Sequence, residues 1–242
     1  MKPVLIRQHG EVSPPDLLEV WLRERGLPYE IHRTWLGETA EDPRAYSFVA
    51  SLGSRYNPRD TDEPLVADEL RLLEQAVEHE VPVLGLCFGG QALAAVLGAP
   101  IEPAPEPELG WYRLESDDPE LIPPGPWLEW HYERFGVPAG ATEIARTKVA
   151  PQAFVYGPHL AVQFHPESTV ETVSRWARKD RPRLEKLGIE DGVALLDGPA
   201  EQQEAARESA FRLFDEFLAR AQGEGNEPVA EQTASGRERG DS

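Results

Sequence analysis

Gly85-Leu86-Cys87-Phe88-Gly89-Gly90-Gln91 closes the short apolar run Val81 to Leu86 and opens the apolar, helix-forming run Gln91 to Leu97. A nucleophile on a sharp strand-to-helix turn has a strained backbone and crowded neighbours. Glycines two residues before and two residues after it relieve that crowding, as in the Gly-x-Ser-x-Gly elbow. Gly85 and Gly89 stand at those positions around Cys87. The helix that follows aims its free N–H groups and its positive dipole end at the sulfur, which favours the thiolate. A lone cysteine in an apolar strand is commonly just a small buried hydrophobe. The flanking glycines tip the reading toward a nucleophile.

Upstream of this turn, short apolar runs alternate with longer amphipathic ones, the rhythm of strand–helix units that build a parallel sheet. The strands are predicted over Val4 to Gln8, Tyr29 to Thr34, Ser47 to Leu52 and Val81 to Leu86. Between them, Pro14 to Arg25 and Leu65 to His79 carry apolar residues at helical spacing and read as crossover helices. Downstream, Pro103, Pro105 and Pro107 exclude Pro100 to Trp111 from a central helix or strand. Short strands follow over Trp111 to Leu114, Glu143 to Arg146, Ala153 to Tyr156 and Ala161 to Phe164, parted by Gly and Pro turns. Thr169 to Lys179 and Glu201 to Ala221 read as helices. The fold class is therefore α/β: an open, mostly parallel central sheet flanked by helices, with an additional mixed or antiparallel portion. Residues 1–222 are expected to form one domain. Residues 223–242, rich in Gly, Glu, Gln, Ser and Arg, lack the apolar content that would offset ordering entropy and read as a disordered tail.

The 242 residues carry 43 acidic and 24 basic side chains, a net charge of -19, which repels nucleic acid and anionic lipid surfaces. No apolar stretch near the N-terminus reaches the length of a signal sequence or a membrane span, so a cytoplasmic protein is expected. With a single cysteine, no internal disulfide can form. No motif calls for a metal or a cofactor.

A thiol nucleophile needs a base, and the base needs an orienting acceptor. Val162-Gln163-Phe164-His165-Pro166-Glu167 offers both: His165 ends an apolar strand, and Glu167 follows a proline that fixes one torsion between them. In an open α/β sheet the carboxyl ends of the strands converge on the ligand crevice, and Cys87 and His165 both sit at such ends. Of the other histidines, His79 sits on a charged helix end, and His32 and His159 have no supporting neighbours. His9 follows the first strand close to the crevice, and His131 stays open.

Taken together, Gly85-x-Cys87-x-Gly89-x-Gln91 and Gln163-Phe164-His165-Pro166-Glu167 resemble the class I, or triad, glutamine amidotransferases. The similarity runs from about Val4 to about Glu167 and is nearest to the amidotransferase portion of GMP synthase and its stand-alone relatives. The resemblance implies that Cys87 attacks the glutamine carboxamide, His165 shuttles the proton to departing ammonia and Glu167 orients the imidazole. Water would then hydrolyse the γ-glutamyl thioester. It further implies that Gln91 helps hold the substrate and that the amides of Phe88 and Gly53 form the oxyanion hole. Many relatives carry Gly-Gly-Pro in that loop, where this chain has Leu52-Gly53-Ser54. Trp130-His131-Tyr132-Glu133 occupies the place where relatives hold the amino-acid head of glutamine, which makes His131 and Glu133 candidate pocket residues; a surface turn is the alternative.

The resemblance implies a glutaminase that supplies ammonia to an acceptor or partner synthetase. The chain carries neither a Gly-x-x-x-x-Gly-Lys loop nor the Ser-Gly-Gly-x-Asp-Ser loop of a synthetase half, so complete GMP synthase is not expected. A γ-glutamyl peptide or amide hydrolase would use the same three residues. A non-catalytic regulatory or binding module would keep the fold without the chemistry, and an intact Cys-His-Glu set argues against it.

Overall fold

The computed structural model describes residues 2–40 and 42–223, so apart from Gly223 the expected tail at 223–242 lies outside the described residues. The first half runs β1 (Val4–Gln8), α1 (Asp16–Glu24), β2 (Tyr29–Arg33), β3 (Val49–Ser51), α2 (Pro64–Glu78), β4 (Val83–Leu86) and α3 (Phe88–Val96). Every residue of β1, β3 and β4 is buried, as befits strands covered on both faces. Helix α1 buries Leu18, Trp21 and Leu22 and stops just before Gly26, whose φ of +65° reverses the chain. Helix α2 starts with Pro64 in its first turn, where the missing N–H has no intrahelical role to fill.

The second half comprises β5 (Ile101–Tyr112), β6 (Glu115–Ser116), β7 (Trp127–Phe135), β8 (Thr142–Arg146), β9 (Pro151–Tyr156), β10 (His159–Val162), α4 (Val170–Lys179), α5 (Arg181–Lys186) and α6 (Ala200–Ala221). Eight strands form one sheet in the order β2-β1-β3-β4-β10-β9-β8-β6. The first five in that order are parallel to one another, and the pairings from β10 to β6 are antiparallel. This is the open, mostly parallel sheet with an antiparallel extension that the sequence predicts. Strand β10 is the seam between the two regimes.

Strands β5 and β7 stand apart as a two-stranded antiparallel ribbon, with a register break between Pro103 and Glu108. The prolines keep this stretch out of the central sheet, as expected, yet allow an edge strand, where a missing N–H removes no ladder bond on the free side. The nine-residue β7 has no counterpart among the predicted strands.

Side chains alternate across the sheet and fill one core on each face. Val4, Ile6, Ala50, Leu84, Leu86 and Val162 point to the side covered by Trp21 of α1 and by Phe214 and Phe217 of α6. Leu5, Val49, Val83 and Ala161 point to the side covered by α2 and α3. The Trp21 and Phe214 rings lie 5.5 Å apart, and Trp21 Nε1 donates to Asp215 Oδ1 at 2.9 Å, so α6 clamps α1 onto the sheet. Burying an aromatic side chain of this kind contributes about 1.5–3 kcal/mol. A third cluster, with Leu109, Leu128, Trp130, Val173 and Leu184, seats the ribbon on α4 and α5. Among the described residues no helix is long and apolar enough to cross a membrane.

Candidate active site

Cys87 joins β4 to α3 with φ +51° and ψ -104°, a conformation that residues bearing a Cβ rarely adopt. Strain of this kind is held only where the surroundings over-determine it, and it clusters at functional sites. The surroundings here are backbone. A Cβ on Gly85 would lie 2.7 Å from the Gly89 carbonyl oxygen, and one on Gly89 would lie 2.1 Å from the Ser51 carbonyl oxygen. A Cβ on Gly90 would lie 2.7 Å from the Val162 carbonyl oxygen. The first turn of α3 therefore rests directly on the backbones of β3 and β10, and only glycine permits that approach. Gly90 completes a set that the sequence reading began with Gly85 and Gly89. The Cys87 amide donates to the Val162 carbonyl at 2.9 Å, which fastens the turn to β10.

The same ladder brings the histidine to the cysteine. Leu86 is in register with Val162 on parallel strands, so the chain leaves β4 and β10 at the same end of the sheet, although Cys87 and His165 are 78 residues apart. The His165 amide donates to the Leu128 carbonyl of β7 at 2.8 Å. Its ring Nδ1 lies 2.9 Å from Glu167 Oε1, and the ring packs on Trp176 of α4 with centroids 4.7 Å apart. The Ser168 hydroxyl donates to the same carboxylate oxygen at 3.2 Å. Burial, the largest single influence, disfavours the imidazolium, but the charge and hydrogen bonds of Cys87 and Glu167 outweigh it and raise His165 well above the usual imidazole range. Cys87 keeps 7% of its surface exposed and His165 4%, so solvent touches the pair only slightly.

Gly53, in the loop after β3, closes on this pair. A Cβ there would lie 2.9 Å from His165 Cε1 and 3.9 Å from the Cys87 Cβ. The imidazole cannot retreat easily, because Glu167 and Trp176 hold it. Gly53→Ala is expected to lower the turnover number about 100-fold, as for a catalytic group displaced by roughly an ångström. Its thermal midpoint should stay close to that of the parent, and steady-state kinetics beside a melting curve check both halves. Phe88 opens α3, where the first amides have no intrahelical acceptor.

The other candidates lie in and beside the ribbon. Trp130 to Glu133 belong to β7 and not to a surface turn. His131 has a side chain only 1% exposed, and its ring faces protein groups on both sides. Nδ1 lies 3.0 Å from the Glu133 carbonyl oxygen, and Nε2 lies 3.2 Å from Glu108 Oε2 and 3.3 Å from Glu129 Oε2. Glu133 sends its carboxylate outward to Arg59, 3.1 Å away. Gln91 Nε2 donates to the Glu133 carbonyl at 3.0 Å and to Gln163 Oε1 at 3.2 Å. Gln163 Nε2 in turn lies 3.7 Å from Cys87 Sγ. The sequence reading gave Gln163, Glu108 and Glu129 no role; only the place of Gln163 inside the His165 motif hinted at one. Among the described residues no group of three His, Cys, Asp or Glu side chains has the geometry to hold a metal ion.

A second buried network lies beneath the elbow. Arg7, wholly buried, donates to Glu69 Oε2 at 2.9 Å, to Asp68 Oδ2 at 2.6 Å and to the Glu38 carbonyl at 3.2 Å. His9 lies 3.2 Å from the Thr34 hydroxyl, 3.4 Å from the Ser51 hydroxyl and 3.6 Å from Glu69 Oε1, and its ring meets Phe88 edge-on. His9 thus packs against Phe88, the residue that follows Cys87.

These histidines set the pH dependence of stability. Burial lowers His9 to about 4, so the folded state resists a proton that the unfolded chain accepts below about 6.5. Burial lowers His159 to about 4 as well. Burial works against the His131 imidazolium too, but Glu108 and Glu129 outweigh it and raise that ring to about 10. The His131 proton therefore stabilises the fold fully below about 6.5, and that contribution fades as pH climbs toward 10. The thermal midpoint is expected to peak near pH 6.5 and fall on both sides. Replacing His9 by a neutral residue should make the acid limb shallower, with His159 still contributing to it, and leave the alkaline limb unchanged, as scanning calorimetry from about pH 4 to about pH 10 would show.

Fold and site together describe an α/β protein that presents a cysteine on a strand-to-helix elbow beside an imidazole–carboxylate pair. Residues 22–181 match the family model for glutamine amidotransferase class-I, and this chain belongs to that family. The glutamine amidotransferase-like protein YfeJ of Salmonella typhimurium is 29% identical over 227 residues, covering 84% of this chain and 92% of YfeJ. One of the glutamine-hydrolyzing GMP synthase subunits of Ignicoccus hospitalis is 33% identical over 109 residues, 41% of this chain and 58% of its own length. Among solved structures, a glutamine amidotransferase from Thermotoga maritima superposes with a TM-score of 0.79 at 30% identity, covering 89% of this chain and 97% of the other. One from Methylobacillus flagellatus gives 0.82 at 25% identity, covering 91% and 95%.

Proposed function

We propose that this chain is a glutaminase in which Cys87, His165 and Glu167 release ammonia from the side-chain amide of glutamine for an acceptor or partner synthetase. The observation that carries the reading is the imidazole of His165, whose Nδ1 lies 2.9 Å from Glu167 Oε1 and which, with Cys87, lines the same point at Gly53, 2.9 Å and 3.9 Å from where a Cβ there would stand. Glu167 takes Nδ1–H, which leaves the second ring nitrogen to exchange a proton with the sulfur.

The thiolate attacks the carboxamide carbon, and a C–S bond forms as the carbonyl π electrons move onto oxygen. The amides of Phe88 and Gly53 receive that charge. Collapse breaks the C–N bond, and the imidazolium gives its proton to the departing nitrogen, which leaves as ammonia. Water then attacks the thioester, His165 takes its proton, and the C–S bond breaks to give glutamate and the thiolate again. A lone thiol nucleophile also suits the cytoplasm, where thiols are kept reduced.

Ammonia and glutamate release from glutamine, measured alone and beside candidate ATP-dependent synthetases, tests the reading. Turnover of γ-glutamyl dipeptides with glutamine ignored would replace it with a γ-glutamyl hydrolase. A Cys87 left unmodified by a glutamine-analogue electrophile would point to an inert module of the same fold.

A further inference from the structure

The carboxamide of Gln163 is fully buried between β10 and His165 and has no part in the chemistry set out above. Its orientation follows from a chain of bonds whose direction a backbone carbonyl fixes. The Glu133 carbonyl can only accept. It receives Gln91 Nε2 at 3.0 Å, so the NH2 end of Gln91 is the end that faces inward. The second hydrogen on that nitrogen reaches Gln163 at 3.2 Å, which requires the oxygen of Gln163 on that side. The NH2 of Gln163 is then left facing Cys87 Sγ at 3.7 Å. The opposite orientation would set two NH2 groups against each other and an oxygen against the sulfur.

The far end of the chain is equally constrained. His131 Nδ1 meets the same Glu133 carbonyl and so carries hydrogen, while its Nε2 lies 3.2 Å and 3.3 Å from the carboxylates of Glu108 and Glu129, whose charge favours the protonated ring. Glu108 comes from β5 and Glu129 from β7, each 1% exposed or less, and Gln152 Nε2 of β9 donates to Glu108 at 2.7 Å. A buried imidazolium between two carboxylates therefore anchors the carbonyl that aligns both glutamines.

We infer that Gln163 is a catalytic residue of this site, its side-chain N–H donating to the Cys87 sulfur and favouring the thiolate. The inference rests on the amidohydrolase reading above. As the C–S bond forms, sulfur loses charge and the bond from Gln163 loosens. As that bond breaks in the hydrolytic half, the charge returns and the donor receives it, so the help is greatest when sulfur departs. A stabilised thiolate is also a weaker nucleophile, which limits the gain at attack.

Cys87 is the only cysteine, so iodoacetamide reports on it without substrate or partner. The full chain would be alkylated from about pH 5 to about pH 10 as wild type, Gln163→Met, which keeps the volume without the donor, and Gln163→Glu, which puts an acceptor against the sulfur. At about pH 7 the Met variant should react about tenfold more slowly and the Glu variant more slowly still, the order expected for losing one hydrogen bond to a charged group. All three rates should converge at high pH. Folded variants within about twofold of wild type at every pH, well short of that loss, would overturn the inference and leave the glutaminase reading intact. A folded wild type inert to iodoacetamide and to a glutamine-analogue electrophile would remove the reading and the inference together. Should neither variant fold, the Gln163 side-chain amide resonances of the wild type decide. They should shift with pH in step with alkylation rate and cease to do so once Cys87 is carbamidomethylated, and resonances that never shift would overturn the inference.

Discussion

Ammonia release from glutamine is expected to fall by at least about 10⁴-fold when Cys87 is replaced by alanine, while the protein stays folded. The thiolate is the only group at the elbow able to form the acyl intermediate, and without it the oxyanion donors can assist direct attack by water at most. Serine should fare little better, because its hydroxyl is far less acidic than a thiol and the imidazole would have to remove its proton during attack. His165→Ala should come close to the same loss, and adding it to Cys87→Ala should cost little more, since the two groups act as a unit. A Cys87→Ala enzyme that kept more than about a hundredth of the parent turnover, in a preparation free of contaminating glutaminase, would refute the assignment.

Arg7→Met is expected to reduce stability by about 3–5 kcal/mol, a large share of the roughly 5–15 kcal/mol that holds a typical domain. The loss comes less from the missing ion pair than from what stays behind. Glu69 would remain fully buried, with His9 at 3.6 Å as its nearest basic neighbour, and water cannot reach it. Burial opposes the Glu69 carboxylate, and the charge of Arg7 with the hydrogen bonds of Ser51 and Arg7 holds its carboxyl below the ordinary range, a balance that removing the guanidinium upsets. Adding Glu69→Leu to Arg7→Met should therefore recover much of the loss, because two apolar side chains fill the space with no unpaired charge. Urea or guanidinium midpoints of the two single variants and the double variant check this. A change below about 1 kcal/mol in Arg7→Met would show that solvent reaches the network after all.

How much of this was legible beforehand depended on whether contacts were local. Strand β1 matches its prediction at both ends: Val4, Leu5 and Ile6 supply the apolar run, and Arg7 and Gln8 continue the strand although both are polar and buried. Helix α4 is placed to within a residue, and its start has a local cause: the Thr169 side chain accepts from the Thr172 amide. Strand β7 escaped notice because Glu129 and His131 lie inside and pair with each other, so charge no longer marks the outward face. Helix α5 buries Leu184 alone, too little to give a periodic signal. Cys87, His165 and Glu167 stand in short motifs and could be picked out by eye. The partners of Gln163 and Glu108 lie across the sheet and the ribbon, 72 residues away for Gln91 and 44 for Gln152. Only a folded chain reveals them.

Because β10 is the seam of the sheet, the sulfur and its base belong to segments that meet only when the longest loop in the parallel region closes onto β4. Loop-closure entropy makes such a pairing a late event. A nascent chain can thus build its amino-terminal strands while the histidine is still unsynthesised, and the elbow is fastened only when the Val162 carbonyl of β10 receives the Cys87 amide. The thiol has no imidazole beside it during that interval, and the hydrolytic chemistry proposed above would arrive only with the completed sheet.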